Sequence, residues 1–270
     1  MFVKYLVFFC ALSSLFISCA QNEQFPEKKS EKVALENVLL GSSLIPVNQL
    51  LIADSVSKNN FKNELTGLIQ LKRWYEEQNS GFDLGKLESL WSNLQNQSSD
   101  FNLNEVKSWI EVTGFLLEIT TNEKYARELE TIVYQVASKF SESEIKEIDS
   151  LLIPFIFTKN VDHIYVNLFV NSAVKYEHTL KGAVEITQET DYPVSGEVQI
   201  KFKMENKRYI ELYIRIPEWA VGATVVEKGV KYAAVPGNYC PIARKWKEGD
   251  LVEINLPPAA KADGNYLQQN

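Results

Sequence analysis

Near Pro154 the hydrophobic period of the chain changes from that of helices to that of strands, and this change limits the folds open to it. Before it, Leu87, Leu90, Trp91 and Leu94 fall at i, i+3, i+4 and i+7, the spacing of one buried helical stripe. Val106, Trp109, Ile110, Thr113, Leu116 and Leu117 repeat that pattern, as do Tyr125, Leu129, Ile132, Val133 and Val136. A poorer version with Gly67 inside it runs through Leu65, Leu68, Ile69 and Lys72. Asp83, Asn102 or Asn104, and Ser141 are suited to cap these helices. After Pro154 the period is two: Ile164, Val166, Leu168, Val170; then Val198, Ile200, Phe202, Met204; then Leu212, Ile214, Ile216; then Val252, Ile254, Leu256. Turn formers such as Ser195-Gly196, Glu205-Asn206, Pro236-Gly237-Asn238 and Gly249-Asp250 separate the runs. Short alternating strands at this spacing predict an antiparallel sandwich or barrel. The class expected is therefore α+β, helices first and sheet second. The inner faces should include Val166, Leu168, Ile200, Phe202, Leu212 or Tyr213, Ile214 and Ile254.

The first residues carry a different message. Lys4 precedes an apolar run from Leu6 to Ile17, broken only by Ser13 and Ser14, and the run ends at Ser18-Cys19. It is short for a spanning helix and reads as a targeting segment. A small residue directly before a cysteine at this place resembles the bacterial lipoprotein signal, with Phe16 as a departure where that family more often has leucine. The resemblance implies acylation of Cys19 and anchorage of the chain to a membrane of the bacterial envelope, at the outer membrane or cell surface; a plain secretory signal is the alternative. Gln21 to Ser30 is polar and charged, as a tether would be. The chain then divides into a signal over 1–18, a tether over 19–36, a helical region over 37–157 and a sandwich over 158–270. A formal charge of −7 gives no electrostatic footprint for nucleic acid.

Family resemblance enters in the strand half. The stretch His163-Ile164-Tyr165-Val166-Asn167-Leu168-Phe169-Val170-Asn171-Ser172 resembles the opening of a β-sandwich in glycoside hydrolase family 127. Thr187-Gln188-Glu189-Thr190-Asp191-Tyr192-Pro193 with Gly196, and Leu212-Tyr213-Ile214-Arg215-Ile216-Pro217-Glu218-Trp219-Ala220, continue it in order. Gly237, Tyr239, Ile242, Arg244, Trp246 and Gly249-Asp250, then Val252 to Leu256, complete it. Ile119 to Ala126 with Leu129-Glu130 and Tyr134 is similar to a late helix pair of that family, and Val38-Leu39-Leu40-Gly41 with Gln49 is faintly similar to its N-terminal opening. The resemblance implies an (α/α)6 barrel followed by sandwiches, and activity as a β-L-arabinofuranosidase on plant-type or glycoprotein glycans. The helical region here is too short for a whole barrel, so a partial, barrel-like layer and a shortened relative or fragment are expected.

Family members resembling this chain hold zinc with one glutamate and three cysteines, one of which attacks the sugar. That chemistry needs thiolates of lowered pKa in a fixed cage. Of the three cysteines here, Cys10 lies in the signal and Cys19 is the acylation site, which leaves Cys240 on a predicted strand. The connection from Tyr134 to Phe157 has no cysteine, and the place of the family's Glu-x-Cys element reads Asn102-Leu103-Asn104. No catalytic residue, metal ligand or cofactor is therefore expected. His163 and His178 are read as ordinary surface histidines rather than a metal pair, and Glu189 with Asp191 as solvated acids rather than a hydrolytic pair. Trp74, Trp91 and Trp109 lie on helical stripes and read as core. Trp219 and Trp246 are the candidate sugar-stacking residues, with Tyr165, Tyr192 and Tyr213 sharing the ambiguity between packing and binding.

Three functions follow: an exported lipoprotein whose sandwich keeps a glycan-binding or assembly role, a hydrolase with an unrecognised carboxylate site, or a product without activity. An intact sandwich pattern beside an incomplete catalytic set favours the first or the third.

Overall fold

Burial alternates along the strands as the sequence alternates, so each strand has a core face and an outer face. The computed structural model describes residues 35–39, 58–77, 84–95, 101–136 and 139–257. Every described residue belongs to one compact unit within Val33–Asn270. The signal, Cys19, the polar stretch from Gln21 to Ser30, Asp83, Gly41 and Gln49 lie outside the described residues, while Glu36, the last residue assigned to the tether, begins a strand.

Among the described residues, eleven strands form two sheets. The larger joins β1 (Glu36–Leu39), β4 (Ser172–Glu177), β5 (Ala183–Thr190), β6 (Glu197–Met204), β11 (Leu251–Asn255), β8 (Thr224–Glu227) and β9 (Val230–Tyr232) in that order. The smaller runs β10 (Asn238–Trp246), β7 (Arg208–Ile216), β3 (His163–Val166), β2 (Phe157–Asn160). Their inner faces meet in one core, where the Phe202 and Trp246 rings stack at 4.0 Å. The inner residues expected from alternation are all buried, with Leu212 rather than Tyr213 turned inward.

Two features depart from the expected plan. β3 and β7 pair in parallel, whereas all other neighbours are antiparallel. Between them the chain passes through β4, β5 and β6 of the other sheet, so no hairpin imposes opposite directions. The larger sheet also takes β1 from ahead of the helices, and Asn37 Nδ2 donates to the carbonyls of Pro154 and Phe157, each at 3.2 Å. At Gly196 any side chain would overlap the Leu256 carbonyl, which explains glycine in that motif.

Five helices are described: α1 (Lys58–Glu76), α2 (Leu84–Gln95), α3 (Leu103–Thr120), α4 (Glu123–Thr131) and α5 (Glu142–Leu152). Helix α3 is central, with α1, α4 and α5 packed on it, and no ring of helices is completed among the described residues. Trp91 and Trp109 stack at 5.4 Å inside this cluster, as their stripe predicted. Their indole N–H groups are satisfied by Thr113 Oγ1 at 2.9 Å and Glu128 Oε1 at 2.8 Å. Trp74 lies on α1, but its side chain is outside the described set. Asn102 caps α3 in a capping box with Glu105, Asn122 caps α4, and Ser141 with Glu144 begins α5. Among the described residues no helix is long and apolar enough to cross a membrane.

Candidate functional site

The outer face of the smaller sheet becomes progressively buried along β7. Tyr209 is exposed, Glu211 and Tyr213 are half-buried, and Arg215 is fully buried. Helix α4 covers the Arg215 end. Its Glu123 and Glu130 stand seven residues apart, two turns along one face, and both reach the same guanidinium. Nη1 lies 3.3 Å from Glu123 Oε1, Nη2 pairs with Glu130 Oε1, and Nε donates to the Asn167 carbonyl at 2.7 Å. Burial works against this charge, but Glu130 and Glu123 outweigh it and raise the guanidinium pKa.

Asn167 is the other centre of the network. Its Nδ2 donates to the Phe155 carbonyl at 3.1 Å and to Thr158 Oγ1 at 3.0 Å, while its Oδ1 accepts from Tyr239 OH at 2.6 Å. Tyr192 OH donates to Glu130 Oε1 at 3.0 Å. The family-like stretches identified in the sequence thus meet here, contributing Asn167, Tyr192, Arg215 and Tyr239. Gln188, from the second stretch, holds the bend after β3 by donating to the carbonyls of Leu168 at 3.0 Å and Val170 at 2.7 Å.

Beside this network the turn between α3 and α4 faces the turn leading into β10. Thr120, Thr121, Asn122, Glu123, Gly237, Asn238 and Tyr239 enclose an open cleft of about 280 Å³. Hydroxyl, amide, carboxylate and phenol groups line it. Such a wall can exchange hydrogen bonds with a polyhydroxylated ligand.

The residues singled out in the sequence fall in different places. Trp246 has no exposed surface: its ring lies between the sheets and its N–H donates to the Ile210 carbonyl at 2.9 Å, so it has no free face for a sugar. Its place at alternating parity with Ile242 and Cys240 made it inward-facing. Trp219 is half-buried and stacks on Tyr192 at 6.3 Å, next to the Glu130 network. Cys240 is buried between the sheets, on the opposite face of β10 from Tyr239, and burial pushes its thiol up to about 11. Asn102 and Asn104 belong to the start of α3, where Asn102 accepts from the N–H groups of Asn104 and Glu105. His163 is half-buried near Glu211, 3.4 Å away, but His178 is not the surface histidine expected: it is buried because both ring nitrogens find backbone partners, the Leu180 N–H and the Tyr209 carbonyl. Glu189 lies on the charged outer face of the larger sheet, 2.5 Å from Lys201, and Asp191 is exposed. Arg215 and Glu130 were not recognised as site residues. The available signals were a charge inside an otherwise apolar strand, which demands a partner, and two acids on one helix face.

Together these features define a β-sandwich with a helical cluster docked on the outer face of its smaller sheet. Residues 163–258 match the family model of the beta-L-arabinofuranosidase GH127 middle domain, so this region resembles that domain. Among solved structures the chain is similar to a GH127 beta-L-arabinofuranosidase from Geobacillus stearothermophilus T6, at 23% identity over 57% of this chain and 30% of that one, with a TM-score of 0.46. It is similar to another GH127 beta-arabinofuranosidase at 21% identity, over 57% of this chain and 31% of that one, with a TM-score of 0.49. A further structure described as a glycoside hydrolase matches at 22% identity, over 57% and 32% of the two chains, with a TM-score of 0.49. The match thus spans about a third of these proteins' own length. A search of curated proteins finds no match.

Proposed function

We propose that this chain is an envelope-anchored, GH127-like protein that binds glycan in the cleft between the α3–α4 turn and β10, without the zinc–thiolate chemistry of the resembled hydrolases. The observation that carries the reading is the cleft itself: a polar wall whose Glu123 and Tyr239 are held in place by Arg215 and Asn167. A prearranged set of donors and acceptors loses little freedom when a sugar's hydroxyl groups replace water.

The residues do not fit the family's zinc. Asn102 and Asn104 occupy a helix cap, the segment from Tyr134 to Phe157 has no cysteine, and Cys240 faces the sandwich core. No group of three or more His, Cys, Asp or Glu side chains suited to a metal occurs among the described residues. The ligand class follows the resemblance, plant-type or glycoprotein glycans with arabinofuranosyl units. Anchorage rests on Ser18-Cys19 and the apolar run before it.

The test is calorimetric titration of the full chain in detergent with arabino-oligosaccharides, alongside Asn238→Trp. Asn238 is exposed at the cleft, so the bulky ring fills it without touching the core. Binding by the parent and its loss in the variant, with unchanged melting temperature, supports the reading. Equal binding by both, or none by the parent, overturns it. Release of arabinose by the parent would favour a carboxylate hydrolase.

A further inference from the structure

The covered end of the smaller sheet belongs to the cleft; its open end has chemistry of its own. Tyr165 and Tyr213 face each other across the parallel β3–β7 pair and stack at 4.6 Å with 16° between their planes. The Tyr239 ring meets Tyr165 edge-on at 5.3 Å, so the stack begins where the cleft ends. Tyr165 stacks on Tyr213 and His163 touches the same ring at 5.6 Å, both from β3, while on its other side β7 pairs with β10. There the register partner of Tyr213 is Pro241, and the next outward residue is Ala243; both are short and exposed. The step between tall β7 side chains and short β10 side chains leaves a shelf along the edge strand.

Glu211 stands at the end of this shelf. Its Oε1 accepts from Tyr209 OH at 3.0 Å, its Oε2 accepts from Tyr213 OH at 2.8 Å, and His163 Nε2 lies 3.4 Å from Oε2. The two phenols hold the carboxyl below its usual range, so it is an anionic acceptor at neutral pH. A carboxylate offers about four lone-pair sites, and these contacts leave acceptor capacity facing solvent. An aromatic face beside a fixed carboxylate, on a floor without bulk, suits a neutral sugar ring: its C–H face lies on the phenol and its hydroxyl groups donate to the carboxylate.

We infer that Tyr213, Glu211 and the Pro241–Ala243 floor form a second sugar subsite, which receives the unit of a neutral glycan extending out of the cleft past Tyr239. The inference rests on the glycan-binding reading of the cleft and adds the direction of the chain and the neutrality of the ligand. The carboxylate repels uronic acids. A quaternary ammonium is the competing ligand for tyrosines beside an acid, but it is enclosed by converging rings, whereas Tyr165 and Tyr213 are nearly parallel.

The experiment titrates the full chain with neutral arabino-oligosaccharides of increasing length, comparing Glu211→Gln, Tyr213→Ala and Ala243→Trp with Asn238→Trp. Ala243→Trp changes an exposed edge position and fills the shelf, so it serves where Tyr213→Ala loosens the sheet. The subsite predicts that long oligosaccharides bind about ten-fold more weakly to the three shelf variants while the shortest ligand is unaffected. Asn238→Trp abolishes both. Unchanged long-chain affinity in the shelf variants, with loss in Asn238→Trp, overturns the subsite and leaves the cleft standing. Absence of binding by the parent sinks both. Binding of tetramethylammonium that is lost in Glu211→Gln, with oligosaccharide affinity unaltered, assigns the shelf to a cation and overturns the sugar assignment.

Discussion

Arg215 of β7 and Glu123 of α4, 92 residues apart in the chain, meet with Nη1 3.3 Å from Oε1 and neither side chain appreciably exposed. Glu130 closes the other side of the same guanidinium. This contact ties the helical cluster to the sandwich and fixes one wall of the cleft. A buried cation between two carboxylates tolerates the loss of the cation poorly, because both acids are then left without their partner.

Arg215→Leu is accordingly expected to lower unfolding free energy by about 3–5 kcal/mol, read from urea denaturation. Adding Glu123→Gln and Glu130→Gln to that variant should recover part of the loss, since the uncompensated charges are gone. A triple variant less stable than the single one would show that the acids serve some purpose other than pairing with Arg215.

Gly114 in the middle of α3 tests packing against propensity. Alanine is preferred to glycine in a helix interior by about 1 kcal/mol. Here a Cβ would overlap the Phe155 ring. Overpacking costs about 1–3 kcal/mol, so Gly114→Ala should destabilise the protein in thermal unfolding. Combining it with Phe155→Leu should cost less than the two single changes added together.

Cys240 should resist a thiol reagent in the native protein and react once the chain is unfolded. Its thiol is raised by burial from 9.0 to about 11, so the folded state holds the proton more tightly than the unfolded state does. The stabilisation is complete below pH 9 and is lost as pH rises through 9 toward about 11. Buried tyrosines such as Tyr176 and Tyr239 act in the same direction, so the measurement is the difference from Cys240→Ala. That difference should shrink across this window; a constant difference contradicts the buried-thiol account.

Cys19→Ser tests the anchor proposed from the sequence. In cells that process lipoproteins, the variant should move from the membrane fraction to the soluble fraction after breakage. Equal membrane retention of both forms would remove Cys19 as the attachment point.

By itself the sequence determined the strands from Val198 to Met204, Leu212 to Ile216 and Val252 onward, and most of their inward residues, because a period of two leaves one buried face; the choice between Leu212 and Tyr213 came from the structure. It likewise determined that Trp91 and Trp109 are core and that Ser141 caps a helix, which depend on neighbours within a helix turn or two, while between Asn102 and Asn104 the structure chose Asn102 as the cap. It also carried the stretches that converge on Asn167 and Arg215, though not their meeting. Only the tertiary structure decided that β1 joins the larger sheet, that β3 runs parallel to β7, and that Trp246 is sealed while Tyr213 is only half-buried. These outcomes depend on which distant segments pack together. An aromatic residue or an arginine reads the same in a strand whether its outward face meets a helix, a second sheet or water. The partners of Arg215 lie on a helix that precedes it by some ninety residues, and their identity was settled by the folding of α4 onto the end of β7.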